Sequence, residues 1–447
     1  MRIVLIELSK YAFAFIMAFY TAVSYYGASV KNEEKKRTVY IFQNLFMFAI
    51  HLLGYFILYI NNDENVNYLI LYFAQIIYLF MVIAVFDILY QKASRLLVNN
   101  MCMLIAVGFV VIARLDYNKC VKQFIITCAS TIICFFIPWL IKKVKSFRNM
   151  GWAYCITGLV LLIVVLFSNQ VYGANLVLTI GSVSVQPGEF VKILYVMFIA
   201  SMFNKAIDLK QTLITTAMAA IHVIILVLSK DLGAALIFFV VYVCMLYVAT
   251  KRVDYMLYGI ASGAAASVIA YRLFAHIRQR VNIWKNPWTT IDSSGYQICQ
   301  SLFSIGMGSW FGFGLCQGMP DKIPVVQKDF IFSAIVEEFG VIFAVCLILI
   351  CLNNLILMMN IASRCKTLFY RLVAVGLGVT YAFQVFLTVG GAMKMIPMTG
   401  VTLPFVSYGG SSMLSSLIIF AIINGMYNMR QDEVDVYEKA RKAKKGK

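Results

Sequence analysis

Three carboxylates lie where a polar segment meets a long apolar run, at residues 328–340. Asp329 comes just before the apolar run, and Glu337 and Glu338 lie within it. A charged carboxylate loses hydration in such surroundings, so its presence there costs free energy. A carboxylate in this place can exchange a proton with a substrate, pair with a cation or cap a helix. The residue types therefore mark this junction as a candidate site for chemistry.

A long connection precedes this junction, from about Arg272 to Asp329. Connections of that length are usually functional in compact folds. Its cationic side chains, amides and glycines would suit a sugar diphosphate. Its aromatic residues and glycines equally suit membrane-interface anchors and turns, so both interpretations stay open. The residues concerned are Arg278, Arg280, Trp284-Lys285-Asn286-Pro287-Trp288, Gly295-Tyr296-Gln297, Gln300-Ser301 and the glycines at 306, 308, 312, 314 and 318.

The composition identifies the class of fold that must position these residues. The chain has 447 residues, of which 62% are hydrophobic and 13% are charged. That leaves too little polar surface to cover a soluble globule, and the apolar runs repeatedly reach the length that spans a bilayer. We therefore predict an all-α polytopic membrane protein. The first run, Val4 to Ser24, is predicted to be a membrane helix and not a cleaved signal.

Hydropathy predicts about thirteen membrane spans. The predicted spans are residues 3–25, 39–60, 66–89, 97–114, 121–141, 152–169, 188–204, 211–228, 233–250, 254–271, 331–358, 370–389 and 408–427. Lys and Arg cluster in alternate connections, which predicts that those connections are cytoplasmic. The C-terminus, with a basic tail at 431–447, is then inside. An odd number of spans puts the N-terminus and the long loop 272–330 outside.

The net charge of +18 lies mostly in short connections and in the tail. There it sets the topology and meets anionic plasma-membrane lipids, so we predict no nucleic-acid partner. The eleven cysteines and three histidines show no metal-ligand spacing. Cys299 and Cys316 share the long loop and could pair.

Five sequence motifs occur in a characteristic order along the chain. They are Gln186-Pro187-Gly188-Glu189-Phe190-Val191-Lys192, Asp231-Leu232-Gly233, Gly295-Tyr296-Gln297 with Gln300-Ser301, Asp329-Phe330-Ile331-Phe332 with Glu337-Glu338 and Gly340, and Pro397-Met398-Thr399-Gly400-Val401-Thr402-Leu403-Pro404-Phe405-Val406-Ser407-Tyr408-Gly409-Gly410-Ser411-Ser412. In this order they resemble the signatures of the SEDS family, which includes FtsW, RodA and SpoVE. The resemblance covers residues 97–430, and the spans within 1–96 lie outside it.

The resemblance implies a core of about ten spans and the activity of a peptidoglycan glycosyltransferase. Such an enzyme polymerises lipid II at the outer face of the bacterial plasma membrane, with inversion at the anomeric carbon. It also implies a class B penicillin-binding protein as partner. A divalent cation (Mg or Mn) is one candidate cofactor, with unknown ligands. The alternatives are a lipid II flippase and a non-catalytic scaffold for the penicillin-binding protein.

Residue by residue, the resemblance places the catalytic base at Asp329, for which a helix N-cap is the structural alternative. Arg280 is assigned to diphosphate or acceptor binding. Glu189 and Lys192 are spaced to pair with each other, so an ion pair competes with substrate contact. Asp231 caps or begins a helix and has the same ambiguity. The remaining predicted substrate-binding residues are Gln186, Gln297, Gln300 and Ser301.

Other motif residues are predicted to support the structure. Glu337 and Glu338 lie about 100° apart on a helix, so both cannot face one cavity. Ser407, Gly409, Gly410 and Ser411 are predicted to let backbones approach closely at a helix start. Among the departures from the family pattern, Lys230 stands where proline is common. The run 399–404 is closer to the division and sporulation branches (FtsW and SpoVE) than to the elongation branch.

Overall fold

The fold is a bundle of α-helices with one short β-hairpin, as described for residues 2–168, 177–180 and 183–445 of a computed structural model. The hairpin pairs β1 (Leu178–Ile180) with β2 (Val183–Val185) in antiparallel register, Leu178 opposite Val185. The helices are α1 (Arg2–Ser29), α2 (Glu33–Asn61), α3 (Val66–Leu89), α4 (Arg95–Leu115), α5 (Tyr117–Lys143), α6 (Gly151–Leu166), α7 (Gly188–Lys205), α8 (Leu209–Leu228), α9 (Leu232–Thr250), α10 (Val253–Leu273), α11 (Ala275–Lys285), α12 (Tyr296–Met307), α13 (Ile331–Ser363), α14 (Leu368–Ala392) and α15 (Gly410–Lys445).

Every predicted span coincides with a helix, and the all-α polytopic membrane fold is confirmed. Within the described ranges, eleven helices are long and apolar enough to cross a membrane. The two remaining predicted spans, α6 and α7, differ from these eleven in length or in charge. Helix α6 is shorter, with 16 residues, and α7 carries Glu189, Lys192 and Lys205. The side chains of the basic tail at 432–447 lie outside the described residues, and the orientation in the membrane stays a prediction.

Helix α4 is the centre of the bundle. Its apolar stretch is completely buried, because α1, α2, α3, α5, α13 and α15 all pack around it. This burial explains why residues 101–113 of α4 are apolar on every face, without the polar stripe of a surface helix.

The N-terminal helices are joined to the rest of the bundle by buried polar contacts. The Asn100 Oδ1 atom on α4 accepts hydrogen bonds from the Tyr20 hydroxyl at 3.1 Å, the Ser24 hydroxyl at 2.8 Å and the Gln43 amide at 3.3 Å. Ser24 in turn accepts a bond of 2.8 Å from Asn353 on α13. Hydrogen-bonded amides are stable in a membrane interior, whereas unpaired ones are costly. Helices α1 and α2 therefore provide hydrogen-bond donors for the Asn100 Oδ1 atom on α4, and α1 provides an acceptor for the Asn353 amide on α13.

Deleting residues 1–89 is expected to destabilise the protein strongly. The deletion removes the partners of Asn100 and Asn353 and exposes a helix that is otherwise fully covered. Each orphaned amide costs about 1–3 kcal/mol. Thermal unfolding in detergent and gel-filtration homogeneity would measure the loss. Tyr20→Phe, which removes one hydrogen bond of three, is the mild control. An unchanged unfolding temperature of the truncated protein would contradict this prediction.

Helix α13 is interrupted at Gly340, where the backbone takes φ 86° and ψ 169°. The interruption leaves the carbonyl groups of Glu337 and Glu338 without partners in their own helix. The Glu337 carbonyl accepts the N–H of Phe313, and the Glu338 carbonyl accepts the N–H of Gly314, both at 2.9 Å. The loop after α12 thus supplies the missing donors.

The same loop also supplies acceptors on the far side of the interruption. The N–H of Val341 donates to the Ser309 carbonyl at 3.0 Å, and that of Ile342 donates to the Trp310 carbonyl at 3.2 Å. Segment 308–321 is therefore bonded into the broken helix like a short added strand. These contacts fix the first half of α13, which follows directly on Asp329.

Candidate active site

A cavity of about 650 Å³ opens at one end of the bundle, where α7, α9, α13 and α15 begin and α14 ends. Four cationic side chains and two carboxylates line it. With neutral His276, these groups leave a surplus of two positive charges. The charged lining residues are Lys230, Asp231, Arg280, Lys328, Asp329 and Lys394.

Asp329 lies half-buried in this cavity. Burial raises the pKa of its carboxyl group, and the nearby Lys328 and Arg280 only partly oppose that effect. Its carboxylate accepts no hydrogen bond from the described residues. The N-cap position of α13 is Phe330, and no side chain caps that helix. The structural alternative for Asp329, a helix cap, is therefore not present.

Ser407 and Tyr408 position the backbone that leads into Asp329. The Ser407 hydroxyl donates to the Lys328 carbonyl at 2.6 Å. The N–H of Tyr408 donates to the Gln327 carbonyl at 2.8 Å. The segment before α15 therefore holds the peptide groups immediately before the carboxylate. This is a positioning role for Ser407, without contact to the cavity.

The carboxylates of Asp231 and Asp329 both affect the pKa of Arg280. Burial lowers the pKa of its guanidinium group, while Asp231 and Asp329 raise it. Its Nη1 atom donates to the Met398 carbonyl at 3.2 Å, which fixes α11 against the segment after α14. Asp231 caps α9 by accepting the N–H of Ala234 at 3.0 Å. Burial raises the pKa of Asp231 to about 6, with Glu189 adding to the effect.

Glu189 and Lys192 form a buried ion pair with an N···O distance of 2.6 Å. The Lys192 ammonium also donates to the Gln384 Oε1 atom at 2.7 Å. The Ser415 hydroxyl donates to the Glu189 carboxylate at 2.6 Å. The pair therefore ties α7 to α14 and α15. It also lines a cavity of about 30 Å³ that shares Asp231 with the main one.

The predicted substrate-binding amides and serine divide into two groups. Gln186 and Gln297 line the main cavity, whereas Gln300 and Ser301 do not. Ser301 is buried, and its hydroxyl contacts the Ser333 hydroxyl at 2.6 Å and the Ala392 carbonyl at 2.8 Å. It faces away from the cavity because α12 packs that side against α13 and α14.

Glu337 and Glu338 both contact segment 308–321, and neither lines the main cavity. The Glu338 carboxylate pairs with the Arg114 Nε atom at 2.9 Å. The Glu337 carboxylate accepts the N–H of Met319 at 2.6 Å. A Cβ atom on Gly318 would lie 2.9 Å from each of these two side chains. A separation of about 100° on a helix lets two side chains flank one extended segment.

The close backbone approach expected at Gly409 and Gly410 lies elsewhere. The N–H of Gly409 donates to the Gln123 side chain at 3.2 Å, and a Cβ atom on Gly410 would meet the side chain of Ile126 at 3.1 Å. The segment before α15 makes a close backbone approach at Gly108 instead, where a Cβ atom would lie 2.7 Å from the Phe405 carbonyl oxygen. Ser411 accepts the N–H of Gln186 at 3.0 Å.

Sequence reasoning did not assign Lys230, Lys328 and Lys394 to the site, although all three line the cavity. A topological signal could have found them. They lie in connections at the opposite end of the bundle from the Lys- and Arg-rich connections. Membrane proteins usually concentrate Lys and Arg in the connections on one side of the membrane, and these three residues depart from that pattern. A cation that departs from this bias needs another reason to be there.

The described residues contain no group of three or more His, Cys, Asp or Glu side chains that could hold a metal ion. Cys299 and Cys316, which could have paired, do not form a disulfide. Asp231 and Asp329 remain as carboxylates in the cavity.

Fold and site together define a multi-pass helical membrane protein with a cationic, carboxylate-bearing cavity at one end of its bundle. Residues 94–431 match the cell cycle protein family of FtsW, RodA and SpoVE. The chain belongs to this family.

Two curated relatives illustrate the similarity. The peptidoglycan glycosyltransferase RodA of Mycobacterium leprae is 32% identical over 358 residues, covering 73% of this chain and 76% of the relative. The probable peptidoglycan glycosyltransferase FtsW of Saccharophagus degradans is 33% identical over 263 residues, covering 57% and 68%. These identities do not separate the branches, and the match to RodA is longer. The closer kinship to FtsW and SpoVE stays a prediction.

Solved structures share the fold. A chain from a structure described as coordinating polymerization and crosslinking in a peptidoglycan synthase complex aligns with a TM-score of 0.65 at 23% identity, covering 76% of this chain and 98% of that one. The rod shape determining protein RodA of Thermus thermophilus aligns with a TM-score of 0.58 at 22% identity, covering 76% and 97%.

Proposed function

We propose that this protein is a peptidoglycan glycosyltransferase that polymerises lipid II. The observation that carries the proposal is Asp329, a half-buried carboxylate without a hydrogen-bond donor in a cavity with surplus positive charge. Kinship with relatives named peptidoglycan glycosyltransferases supports it. The test is formation of glycan strands from purified lipid II, in detergent or liposomes.

The reaction is a single displacement at the anomeric carbon of a lipid-linked sugar. The 4-hydroxyl of the acceptor sugar attacks that carbon, and a new C–O bond forms as the bond to the diphosphate oxygen breaks. Asp329 takes the hydroxyl proton, and the electron pair of the broken bond leaves with the diphosphate. One displacement inverts the configuration. A sugar hydroxyl is a weak nucleophile, and a positioned base contributes about 10²- to 10⁴-fold to such a step.

The leaving group requires charge neutralisation more than protonation. A lipid-linked diphosphate carries a negative charge on each phosphate, which matches the two surplus positive charges of the cavity. Arg280 presents a guanidinium that can bind a phosphate through two hydrogen bonds. A divalent cation would add to this neutralisation when bound. Asp231 together with phosphate oxygens fits the oxygen ligands that Mg²⁺ prefers.

A flippase is the second candidate, because transporters often have broken helices near the membrane midplane. Helix α13 is indeed broken at Gly340. However, backbone groups on both sides of the break are bonded to segment 308–321 and do not line the cavity. The cavity lies at helix ends, which favours chemistry over transport. A transport assay with labelled lipid II, run beside the polymerisation assay, separates the two functions, and a scaffold would score in neither.

The expected partner is a class B penicillin-binding protein that cross-links the nascent strand. The similar fold of a chain in a complex that coordinates polymerization and crosslinking supports this proposal. The active site would then face the outside of the plasma membrane, the C-terminus would face the cytoplasm, and the N-terminus would face outward.

On acidification, polymerisation is expected to be lost already at a pH above the pKa of an ordinary aspartate. Asp329 must be ionised to act as a base, and burial raises its pKa. Activity is therefore full above the raised pKa and is lost as the pH falls through it, at a pH higher than about 3.9. The acid limb of a kcat/KM profile against pH measures this.

Asp231, with a pKa of about 6, could produce a similar limb. Asp231→Asn keeps a residue that can cap α9, so it is the control. The acid limb should persist in this variant. If the limb disappears in this variant, Asp231 and not Asp329 is the titrating group. An acid limb centred at or below a pH of about 3.9 would contradict the prediction.

A further inference from the structure

Lys230 and Lys394 have an unusual backbone conformation. Both line the main cavity, and both have positive φ angles, 62° and 57°. Lys230 follows the last residues of α8, and Lys394 follows those of α14. This position of a helix-ending turn is normally taken by glycine, because a Cβ atom is strained there. Lysine brings no local advantage that would explain its presence.

The turns themselves confirm the geometry of this helix-ending motif. After α8, the N–H of Lys230 donates to the Val227 carbonyl at 3.0 Å, and that of Asp231 donates to the Leu226 carbonyl at 2.9 Å. After α14, the N–H of Lys394 donates to the Gly391 carbonyl at 3.2 Å. The turns use the backbone of the two lysines and leave their side chains available.

The side chains of the two lysines are not neutralised. Both are half-buried, and neither ammonium group makes a hydrogen bond or ion pair with a residue that the structure describes. Burial lowers the pKa of His276, and the positive charges of Arg280 and Lys230 lower it further, which keeps that side chain neutral. Strain and unpaired charge both destabilise the free protein. Backbone strain concentrates at functional sites, where a ligand supplies the compensating interaction.

We propose that Lys230 and Lys394 form a two-lysine clamp for the diphosphate of the lipid-linked substrate, with Arg280 as a third cation. The assignment of the ligand rests on the proposed function. Two separate ammonium groups match two adjacent phosphates, so the clamp selects a diphosphate over a monophosphate. Each lysine donates charge-assisted hydrogen bonds to a phosphate oxygen.

The test uses the full-length protein in detergent and inorganic pyrophosphate as the probe. Orthophosphate at the same ionic strength is the comparison. The variants are Lys230→Gly and Lys394→Gly, because glycine suits a positive φ and relieves the strain. Lys251→Gly is the matched control. Lys251 also has a positive φ, 56°, but it lies at the opposite end of α9 and does not line the cavity.

The wild-type protein should bind pyrophosphate more tightly than orthophosphate. Each cavity variant should bind pyrophosphate about tenfold more weakly, and its unfolding temperature without ligand should be unchanged or higher. Lys251→Gly should bind pyrophosphate as the wild type does. A merely structural role would not combine weaker binding with equal or higher stability.

Unchanged pyrophosphate affinity in both cavity variants would overturn the clamp, as would equal wild-type affinity for the two anions. If a glycine variant fails to fold, Lys230→Gln and Lys394→Gln keep a long side chain and must show the same weakening. Lysine-dependent binding in a protein that does not polymerise lipid II would retain the clamp and reject the proposed function. Polymerisation with lysine-independent binding would do the reverse.

Discussion

Replacing Asp329 with asparagine is expected to abolish polymerisation of lipid II while the protein stays folded. Asparagine has nearly the same shape but cannot accept the proton of the attacking hydroxyl. The loss should be about 10²- to 10⁴-fold or larger, the usual contribution of a general base. Gel analysis of glycan strands from labelled lipid II measures the effect.

Stability should move in the opposite direction from activity in this variant. Burial raises the pKa of Asp329 above its value in the unfolded chain, so the ionised carboxylate destabilises the fold at neutral pH. This cost is absent below the unfolded pKa and is complete above the folded one. Asp329→Asn removes it, so the unfolding temperature at neutral pH should be equal or higher.

Asp292→Asn is the matched control, because Asp292 is an exposed carboxylate in the same connection and does not line the cavity. It should leave both activity and stability unchanged. Normal glycan ladders from Asp329→Asn would contradict the assignment of Asp329 as the general base. An inactive but unfolded variant would leave the second measurement, the acid limb of the pH profile, to decide.

Gly340→Ala is expected to prevent folding or to destabilise the protein by more than about 4 kcal/mol. The backbone at Gly340 takes φ 86° and ψ 169°, a region that is essentially restricted to glycine. A Cβ atom there would also overlap the backbone of Trp310 and Gly312. Segment 308–321 would have to leave the broken helix, and its hydrogen bonds to α13 would be lost.

Thermal unfolding and gel filtration in detergent measure this effect. Gly306→Ala is the control, since a Cβ atom on Gly306 meets nothing within 4 Å and the residue lies in α12. Alanine in a helix is more stable than glycine by about 0.5–1 kcal/mol, so this variant should be neutral or stabilised. Wild-type behaviour of Gly340→Ala would mean that the interruption of α13 is not required.

Hydropathy was sufficient to predict the membrane spans because each span must be apolar along its whole length, and that property is visible locally. It did not predict α11 and α12, which lie in the connection 272–330. The exceptions follow from the same physics. Helix α7 is charged because Glu189 and Lys192 neutralise each other inside the bundle. The buried α4 and its neighbours α1 and α2 looked like ordinary spans, although Asn100 joins them through hydrogen bonds.

The site was predictable only in part. The family resemblance located Asp329, Arg280, Asp231, Gln186 and Gln297, and all five line the cavity. Gln300 and Ser301 come from the same motif but do not line it, because the rotation of α12 decides which side faces inward.

The sequence by itself determined the class of fold, the family and the placement of a costly carboxylate beside the long loop. Composition, span length and motif order are properties of the linear chain and do not depend on how the helices pack. Only the tertiary structure decided that Asp329 does not cap α13, that Glu337 and Glu338 hold the same segment, and that Lys230 and Lys394 reach the cavity unpaired. These outcomes depend on which groups meet across distant parts of the chain. Burial and pairing, which set the cost and the pKa of a charged group, exist only after the helices have packed.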